Sequence, residues 1–241
     1  MFQKKTLTDQ DLNELKRLYK DDLENQIEKV KQGYPVQYLI GNVPFFNTTI
    51  LVNPDVLIPR FETEYLIEKI LKKMEKNKKE ALNLLDVGTG SGCIAIALAK
   101  NTNWKCLGVD KSERALNVAR KNNELNHTQV LFKKLDLLSE PIENFDILVS
   151  NPPYISIEEN YDPQILYEPK EALFALENGT LFYRVLLEKI KNEPKMIAFE
   201  IGEQQGQIIS KMAQKRFPKA KITIEKDLCE KDRYIFIENL D

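Results

Sequence analysis

Histidine and cysteine are scarce in this sequence of 241 residues, which has one histidine, His127, and three cysteines. Cys93, Cys106 and Cys229 are far apart, and no two of them form a Cys-x-x-Cys pair. A zinc site made of cysteine and histidine needs closely spaced ligands, and a disulfide framework needs more cysteines than these. The sequence therefore predicts neither a metal site nor a disulfide framework.

Long apolar runs and an excess of positive charge are also missing. No apolar run approaches the ~20 residues that cross a bilayer, and the N-terminus lacks the apolar stretch of a signal peptide. The net charge is −2, whereas a domain that grips nucleic acid over its whole surface is usually basic. We expect a cytoplasmic, monomeric protein that acts on another protein, without a membrane or nucleic-acid substrate.

The first 80 residues predict small elements rather than a large sheet. Residues 6–32 carry apolar side chains at three- and four-residue steps, which is typical of an amphipathic helix or a helix pair. Strand-favouring residues within 36–58 predict a short β-hairpin that turns near Asn47. Residues 62–76 predict a further helix, which ends in a lysine-rich stretch.

Strands and helices alternate from residue 82 onward, which is typical of an α/β domain with a mostly parallel sheet and helices on both faces. The predicted strands are 82–87, 104–109, 129–133, 145–150, 195–201, 221–225 and 232–238. The predicted helices are 91–100, 112–125, 179–191 and 204–216. The last two strands are close enough to pair as an antiparallel hairpin at the edge of the sheet. The predicted parts are a helical element at 1–34, a β-hairpin and linker helix at 35–80, and the α/β domain at 81–241.

A glycine-rich turn joins the first strand of this domain to its first helix. The turn reads Gly88-Thr89-Gly90-Ser91-Gly92 and leads directly into an apolar helix. Glycines let the backbone turn sharply and approach a ligand, and the first amides of the helix point at that ligand. The spacing is GxGxG rather than the GxGxxG of dinucleotide-binding proteins. Asp86, just before the turn, favours a cationic ligand over a pyrophosphate.

Acidic residues follow the next two strands as well. Asp110 ends the second strand, where a carboxylate can accept both hydroxyls of a ribose. Asp136 and Leu137 follow the third strand, at a place suited to the edge and face of an adenine. Together with the glycine turn, this pattern resembles the class I S-adenosylmethionine-dependent methyltransferases. The resemblance implies S-adenosyl-L-methionine as the cofactor and a Rossmann-like, seven-stranded, mostly parallel sheet whose last strand is antiparallel.

The fourth strand leads into the tetrapeptide Asn151-Pro152-Pro153-Tyr154. Ligands of open α/β sheets bind beyond the carboxyl ends of the strands, so we expect this tetrapeptide beside the reactive methyl group. The Asn151 side-chain oxygen and the Pro152 carbonyl can accept the N–H groups of a planar nitrogen, and the prolines fix the backbone. Tyr154 can stack on the planar group.

These motifs give a definite set of site residues. The predicted cofactor-binding residues are Asp86, Gly88, Thr89, Gly90, Ser91, Gly92, Asp110, Asp136, Leu137 and Asn151. The predicted catalytic residues are Asn151, Pro152 and Tyr154. The predicted substrate-binding residues are Asn151, Pro152, Pro153 and Tyr154.

The tetrapeptide alone does not choose between an amide nitrogen and an exocyclic base nitrogen. Several flanking segments are similar to the protein-glutamine N5-methyltransferases that modify peptide chain release factors. These segments are 35–41, Phe45-Phe46, 56–64, 167–173, Phe199 to Gly202 with Gln205-Gly206, and Asp232-Arg233. This resemblance runs from about Pro35 to Asn239. It implies methylation of the glutamine of a Gly-Gly-Gln loop in class-1 release factors, with the N-terminal helical element contacting that partner.

Three alternatives stay open on the sequence. A glutamine methyltransferase of a ribosomal protein would share the tetrapeptide and much of the fold. A DNA or RNA adenine-N6 methyltransferase would also share it, but the negative net charge and the lack of a target-recognition domain count against it. A non-enzymatic scaffold would need neither Asn151 nor the glycine turn.

The roles of two charged residues also stay open. Arg60 could close over the cofactor or pair with Glu62 or Glu64. Glu168 could line a substrate channel or cap a turn.

Overall fold

The N-terminal segment of the chain folds as short helices followed by a β-hairpin. The structure, a computed structural model, describes residues 7–136, 142, 145–156 and 163–239. The helices are α1 (Asp9–Leu18), α2 (Leu23–Lys31) and α3 (Val36–Ile40), and the hairpin strands are β1 (Asn42–Phe45) and β2 (Thr48–Leu51). A helix pair and a hairpin therefore lie where the sequence predicted them. Helix α3 was missed, because its five residues are too few to show a helical period.

Strands and helices alternate through the remainder of the described chain. The helices are α4 (Phe61–Lys73), α5 (Cys93–Asn101), α6 (Glu113–Leu125), α7 (Leu181–Lys189) and α8 (Gly206–Arg216). The strands are β3 (Asn83–Val87), β4 (Lys105–Asp110), β5 (Leu131–Lys134), β6 (Ile147–Ser150), β7 (Ile155–Ser156), β8 (Phe174–Ala175), β9 (Met196–Glu200), β10 (Lys221–Lys226) and β11 (Asp232–Glu238). None of the helices in the described ranges has the length and apolar character needed to cross a membrane.

One seven-stranded sheet has the order β10-β11-β9-β6-β3-β4-β5. The pairs from β9 through β6, β3 and β4 to β5 are parallel, whereas β11 is antiparallel to both β9 and β10. The predicted Rossmann-like sheet with an antiparallel last strand is confirmed, as is the antiparallel hairpin at its edge.

Both faces of the sheet are buried, and alternate residues of each strand point to opposite faces. In β9, Met196 and Ala198 join a core formed with the hairpin, α4 and α5. Ile197 and Phe199 join a second core formed with α7 and α8. This two-sided burial explains why the central strands read as continuous apolar runs in the sequence.

The strand order reverses its direction between β3 and β6. The chain moves from β3 to β4 and β5 on one side, and from β6 to β9 on the other. The loops that leave the carboxyl ends of β3 and β6 therefore separate and open a crevice between them, which is the usual place for a ligand in such a sheet. The glycine turn follows β3, and Asn151 follows β6.

A buried asparagine of α6 ties the hairpin to the glycine turn. Asn122 is fully buried, and its side-chain oxygen accepts a hydrogen bond from the Leu51 amide at 2.7 Å. Its amide nitrogen donates to the Leu51 carbonyl at 3.1 Å and to the Ser91 carbonyl at 2.9 Å. The edge of β2 thus gains a side-chain partner, and the position of the glycine turn is fixed from behind.

The loop after β6 is held by contacts to its Tyr154 carbonyl. The Gln205 side chain donates to this carbonyl at 2.8 Å. The same carbonyl lies against Gly179, where a Cβ atom would come within 2.0 Å of the oxygen. Gly179 also has a φ of +80°, a conformation that favours glycine. Only glycine therefore fits at position 179 while the loop keeps its place.

Replacing this glycine tests the anchor. We expect Gly179→Ala to lower the melting temperature by about 4–8 °C more than Gly41→Ala. Overpacking costs about 2 kcal/mol, and in a chain of this size each kcal/mol lowers the melting temperature by about 2–4 °C. Gly41 is the matched control, because its φ is +83° and an added Cβ would meet nothing within 4 Å. Thermal unfolding measures both variants, and equal melting temperatures would contradict the proposed clash.

Candidate active site

The glycine turn presents two of its three glycines to open space. Gly88, Gly90 and Gly92 all have positive φ, of 69°, 53° and 80°. A Cβ atom on Gly88 would meet nothing within 4 Å, and one on Gly90 would meet only the Gly88 carbonyl at 4.0 Å. On Gly92 it would meet Phe132, Ala119 and Ile96 at 3.0–3.1 Å. The first two glycines therefore face a cavity, and the third lets the turn pack against the core.

Asp86 lies behind this turn rather than in the cavity wall. It is fully buried, and its Oδ2 atom accepts hydrogen bonds from the Thr89 hydroxyl at 2.6 Å and the Ala95 amide at 3.2 Å. Burial raises the pKa of Asp86 to about 7. Thr89 and Ser91 are also buried. Of the predicted cofactor residues, Asp86, Thr89, Ser91 and Gly92 thus shape the turn from behind.

Asp110, unlike Asp86, faces the cavity. Its Oδ2 atom accepts a hydrogen bond from the Gly90 amide at 3.0 Å, and its Oδ1 atom accepts one from the Ser112 amide at 2.9 Å. Burial raises the pKa of this carboxyl. Each oxygen has a further lone pair, so the side chain is fixed and can still accept two hydroxyl groups.

The cavity has a volume of about 530 Å³, which is within the range of small-molecule sites. It lies at the carboxyl ends of β3, β4 and β6. Its wall brings together five of the predicted cofactor residues, Gly88, Gly90, Asp110, Asp136 and Asn151. Leu137, the remaining prediction, lies outside the described residues. The wall also contains residues that the sequence did not single out, among them Pro54 to Leu57, Leu135 and Phe182.

These residues fit S-adenosylmethionine on two observations. The open space above Gly88 and Gly90 is a cradle that any side chain would fill, so a ligand can approach the backbone closely. Asp110 offers acceptors for a ribose diol.

A second cavity, of about 470 Å³, also borders Asn151. It is lined by Thr8, Asp11 and Val30 of the N-terminal helical segment and by Tyr154 of the loop after β6. The two cavities share Asn151, Leu57 and Ala172. A group held at Asn151 is therefore reached from both sides.

Asn151 and Pro152 each keep an acceptor available. Among the described residues, neither the Asn151 side-chain oxygen nor the Pro152 carbonyl takes part in a hydrogen bond. The Asn151 amide nitrogen donates to the Thr63 hydroxyl at 3.3 Å. Two acceptors on adjacent residues can hold both N–H groups of one amide. All four residues of the tetrapeptide line a cavity, with Pro152 and Pro153 on the first and Tyr154 on the second.

The Tyr154 side chain points into the core as well as lining the second cavity. Its hydroxyl donates to Glu200 at 3.4 Å, and burial raises the pKa of this tyrosine. Glu200 is itself buried, and burial raises its pKa to about 7. The Thr63 hydroxyl donates to the other oxygen of Glu200 at 2.7 Å. Neither Thr63 nor Glu200 was predicted as a site residue, because their contact joins positions 137 residues apart.

Arg60 pairs with Glu168, so among the described residues it does not form the pair with Glu62 or Glu64 that was one of the two roles left open on the sequence. The guanidinium donates to one oxygen of Glu168, and the Ile58 amide donates to the other at 3.0 Å. Glu64 instead accepts from the Phe46 amide at 2.9 Å. Glu168 is buried and lines the second cavity. The pair therefore joins the segment before α4 to the far wall of that cavity.

Comparison with known proteins agrees with this geometry. The family model described as "Methyltransferase small domain" matches residues 62–205. Among solved structures, the hMettl16 catalytic domain in complex with MAT2A 3′UTR hairpin 1 has a TM-score of 0.60 at 19% identity, over 81% of this chain and 76% of that chain. At this identity the likeness shows the shared fold.

Curated relatives are much more similar in sequence. The release factor glutamine methyltransferase of Lactococcus lactis is 38% identical over 239 residues, which is 96% of this chain and 84% of the relative. The protein of the same name from Bacillus subtilis is 40% identical over 221 residues, which is 87% of this chain and 77% of the relative. With its glycine cradle, its Asn-Pro-Pro-Tyr loop and this identity over most of its length, the chain belongs to the release factor glutamine methyltransferase family.

Proposed function

We propose that this methyltransferase transfers the methyl group of S-adenosyl-L-methionine to the side-chain amide nitrogen, N5, of a glutamine. The proposed substrate glutamine lies in the Gly-Gly-Gln motif of class-1 peptide chain release factors, so the reaction supports translation termination. The observation that carries this proposal is that two cavities meet at Asn151. The name of these relatives, release factor glutamine methyltransferase, supports the choice of substrate.

The cofactor is proposed to bind in the cavity of about 530 Å³. Gly88 and Gly90 leave room for it, and Asp110 accepts hydrogen bonds from its ribose. Asp136 and Leu137 remain proposed contacts of its adenine. When bound, S-adenosylmethionine supplies a methyl group that is already electrophilic, because it is attached to a sulfonium.

The reactive loop is proposed to hold the glutamine amide. Asn151 Oδ1 and the Pro152 carbonyl accept its two N–H groups, which orients the nitrogen towards the cofactor cavity. Because the nitrogen lone pair is delocalised, positioning and exclusion of water supply most of the rate. Pro152 and Pro153 limit the movement of the loop, and Tyr154 packs beside the planar group.

The N-terminal helical element, 1–34, is proposed to dock the release factor. Thr8, Asp11 and Val30 line the cavity by which the glutamine would enter. We assign 35–80 to the hairpin and linker helix and 81–241 to the methyltransferase domain. The net charge of −2 suits a protein partner rather than nucleic acid. We further propose that the chain acts as a monomer in the cytoplasm.

A panel of substrates tests the proposed function. The protein is incubated with labelled methyl donor and, separately, with a release factor, a Gln→Ala variant of its Gly-Gly-Gln motif, ribosomal protein and DNA. We expect label in the release factor alone, because only its exposed glutamine offers an amide to the loop. Label in DNA or ribosomal protein, with none in the release factor, would overturn the proposal.

The acceptor role of Asn151 has its own test. We expect Asn151→Ala to lower turnover about 100-fold or more, as removal of one preorganised polar group in an active site does. Donor affinity, measured by calorimetry, should change less than about threefold, since the cofactor keeps its other contacts. Asn117→Ala, at an exposed asparagine of α6, is the control. Loss of donor affinity with unchanged turnover would remove Asn151 from catalysis.

The ribose contact of Asp110 is tested by binding alone. We expect Asp110→Ala to weaken S-adenosylmethionine binding about 10- to 100-fold, because hydrogen bonds to a charged acceptor are lost. Asp146→Ala is the matched control. Its carboxylate also accepts a hydrogen bond from a backbone amide, that of Asn83 at 2.8 Å. This contact lies at the amino ends of β3 and β6, away from the cavity. Calorimetry measures both, and an equal loss in the two variants would contradict the assignment.

A further inference from the structure

Three hydrogen bonds connect the reactive loop to a carboxylate in the core. Asn151 Nδ2 donates to Thr63 Oγ1 at 3.3 Å, and Thr63 Oγ1 donates to Glu200 Oε2 at 2.7 Å. The Tyr154 hydroxyl donates to Glu200 Oε1 at 3.4 Å. Thr63 and Glu200 are 2% and 1% exposed, so water does not compete for these bonds. The network joins the first turn of α4 and the end of β9 to the loop after β6.

The proton of the Thr63 hydroxyl determines how this network is arranged. A hydroxyl has one hydrogen to donate and lone pairs to accept with. An ionised Glu200 can only accept, so it takes the Thr63 hydrogen. Towards Asn151, Thr63 then offers only a lone pair, which the amide NH₂ group can use and the amide oxygen cannot. The side-chain oxygen of Asn151 is thereby turned away from Thr63.

We propose that Thr63 and Glu200 are positioning residues that select which end of the Asn151 amide faces the substrate. They make the loop present an acceptor, which suits the N–H groups of a substrate amide. With the amide reversed, an NH₂ group would face those N–H groups and the hydrogen bond would be lost. This inference rests on the proposed function, because it assigns a purpose to the orientation of Asn151.

The same network discriminates between glutamine and glutamate in the substrate. A glutamate carboxylate has no N–H group, so it would place oxygen against the Asn151 oxygen and the Pro152 carbonyl. Sites made to hydrogen-bond a particular polar group reject analogues that lack it, because their own buried groups are left unpaired.

The protonation of Glu200 gives this arrangement a pH dependence. Several groups face its carboxyl: the Thr63 and Tyr154 hydroxyls bond to it, and Arg233, Glu62 and Tyr234 lie near enough to interact electrostatically. Tyr183 donates to its backbone carbonyl at 2.8 Å. Burial raises the pKa of Glu200 to about 7. Below this pH the protonated carboxyl can donate to Thr63, which frees the threonine hydrogen for the Asn151 oxygen and reverses the amide.

Two substitutions at Thr63 test the proposal on the full-length protein. Thr63→Val keeps the shape and removes the hydroxyl, and we expect a loss of at least about tenfold in kcat. S-adenosylmethionine affinity should stay within about twofold of the wild-type value. Thr63→Ser keeps the hydroxyl, so it should recover most of the activity. A Thr63→Val enzyme with wild-type kcat, or a Thr63→Ser enzyme as impaired as Thr63→Val, would overturn the proposal.

A double-mutant cycle separates positioning from general damage. If Thr63 acts through Asn151, Thr63→Val should lower kcat by less than about twofold in an Asn151→Ala background. An equal loss in both backgrounds would show that Thr63 acts independently of Asn151 and would overturn the proposal. Wild-type activity on the release factor is measured in the same assay. Its absence is a failure of the proposed function, whereas its presence with an additive cycle is a failure of this inference.

A spectroscopic measurement follows the amide without turnover. In ¹⁵N-labelled protein, the side-chain NH₂ resonances of Asn151 should shift as the pH passes through the pKa of Glu200, which is about 7. They should lose this shift in Thr63→Val, which breaks the connection to Asn151, and in Glu200→Gln, because a Gln amide does not titrate in this pH range. The acid limb of the kcat profile should disappear in Glu200→Gln as well. A pH dependence that survives in both variants would overturn the link between Glu200 and Asn151.

Discussion

The parallel pairing of β3 with β6 is the constraint on which the candidate site depends. Val87 is opposite Ser150 at the carboxyl ends of these strands, and the Ser150 hydroxyl donates to the Val87 carbonyl at 2.6 Å. The glycine turn begins directly after one strand and Asn151 directly after the other. The pairing therefore places the proposed cofactor cavity beside the loop that is proposed to accept the substrate amide. Preorganisation of this kind costs no rearrangement at the moment of reaction.

Two buried carboxylates, one on β3 and one at the end of β9, each accept a hydrogen bond from a threonine hydroxyl. Asp86 accepts from the Thr89 hydroxyl at 2.6 Å, and Glu200 accepts from the Thr63 hydroxyl at 2.7 Å. Burial raises the pKa of both to about 7. Such burial is unfavourable for a charge. In each case the carboxylate fixes a hydroxyl or amide next to a loop of the candidate site, one loop proposed to bind the cofactor and the other proposed to bind the substrate.

Periodicity predicted the sheet and its helices well, because both faces of the sheet and one face of each helix are buried. Local spacing also predicted the glycine turn, and the structure places Asp110 and Asn151 at the cavity that this turn borders. Contacts between distant segments were not predictable. Arg60 pairs with Glu168 rather than with a glutamate close to it in sequence, and the Thr63–Glu200 bond has no local signature. These contacts arise when the folded chain brings separate segments together.

The central claim is that a glutamine amide of the substrate is methylated while it is held by Asn151. Mass-spectrometric localisation of the transferred methyl group is the most direct test of this claim. After incubation of the protein with S-adenosylmethionine and a release factor, fragmentation of the Gly-Gly-Gln peptide reports which residue gained the methyl group. The account predicts one methyl group on the glutamine side chain, lost when Asn151 is replaced by Ala. A methyl group on any other residue, or one unaffected by Asn151→Ala, would contradict it.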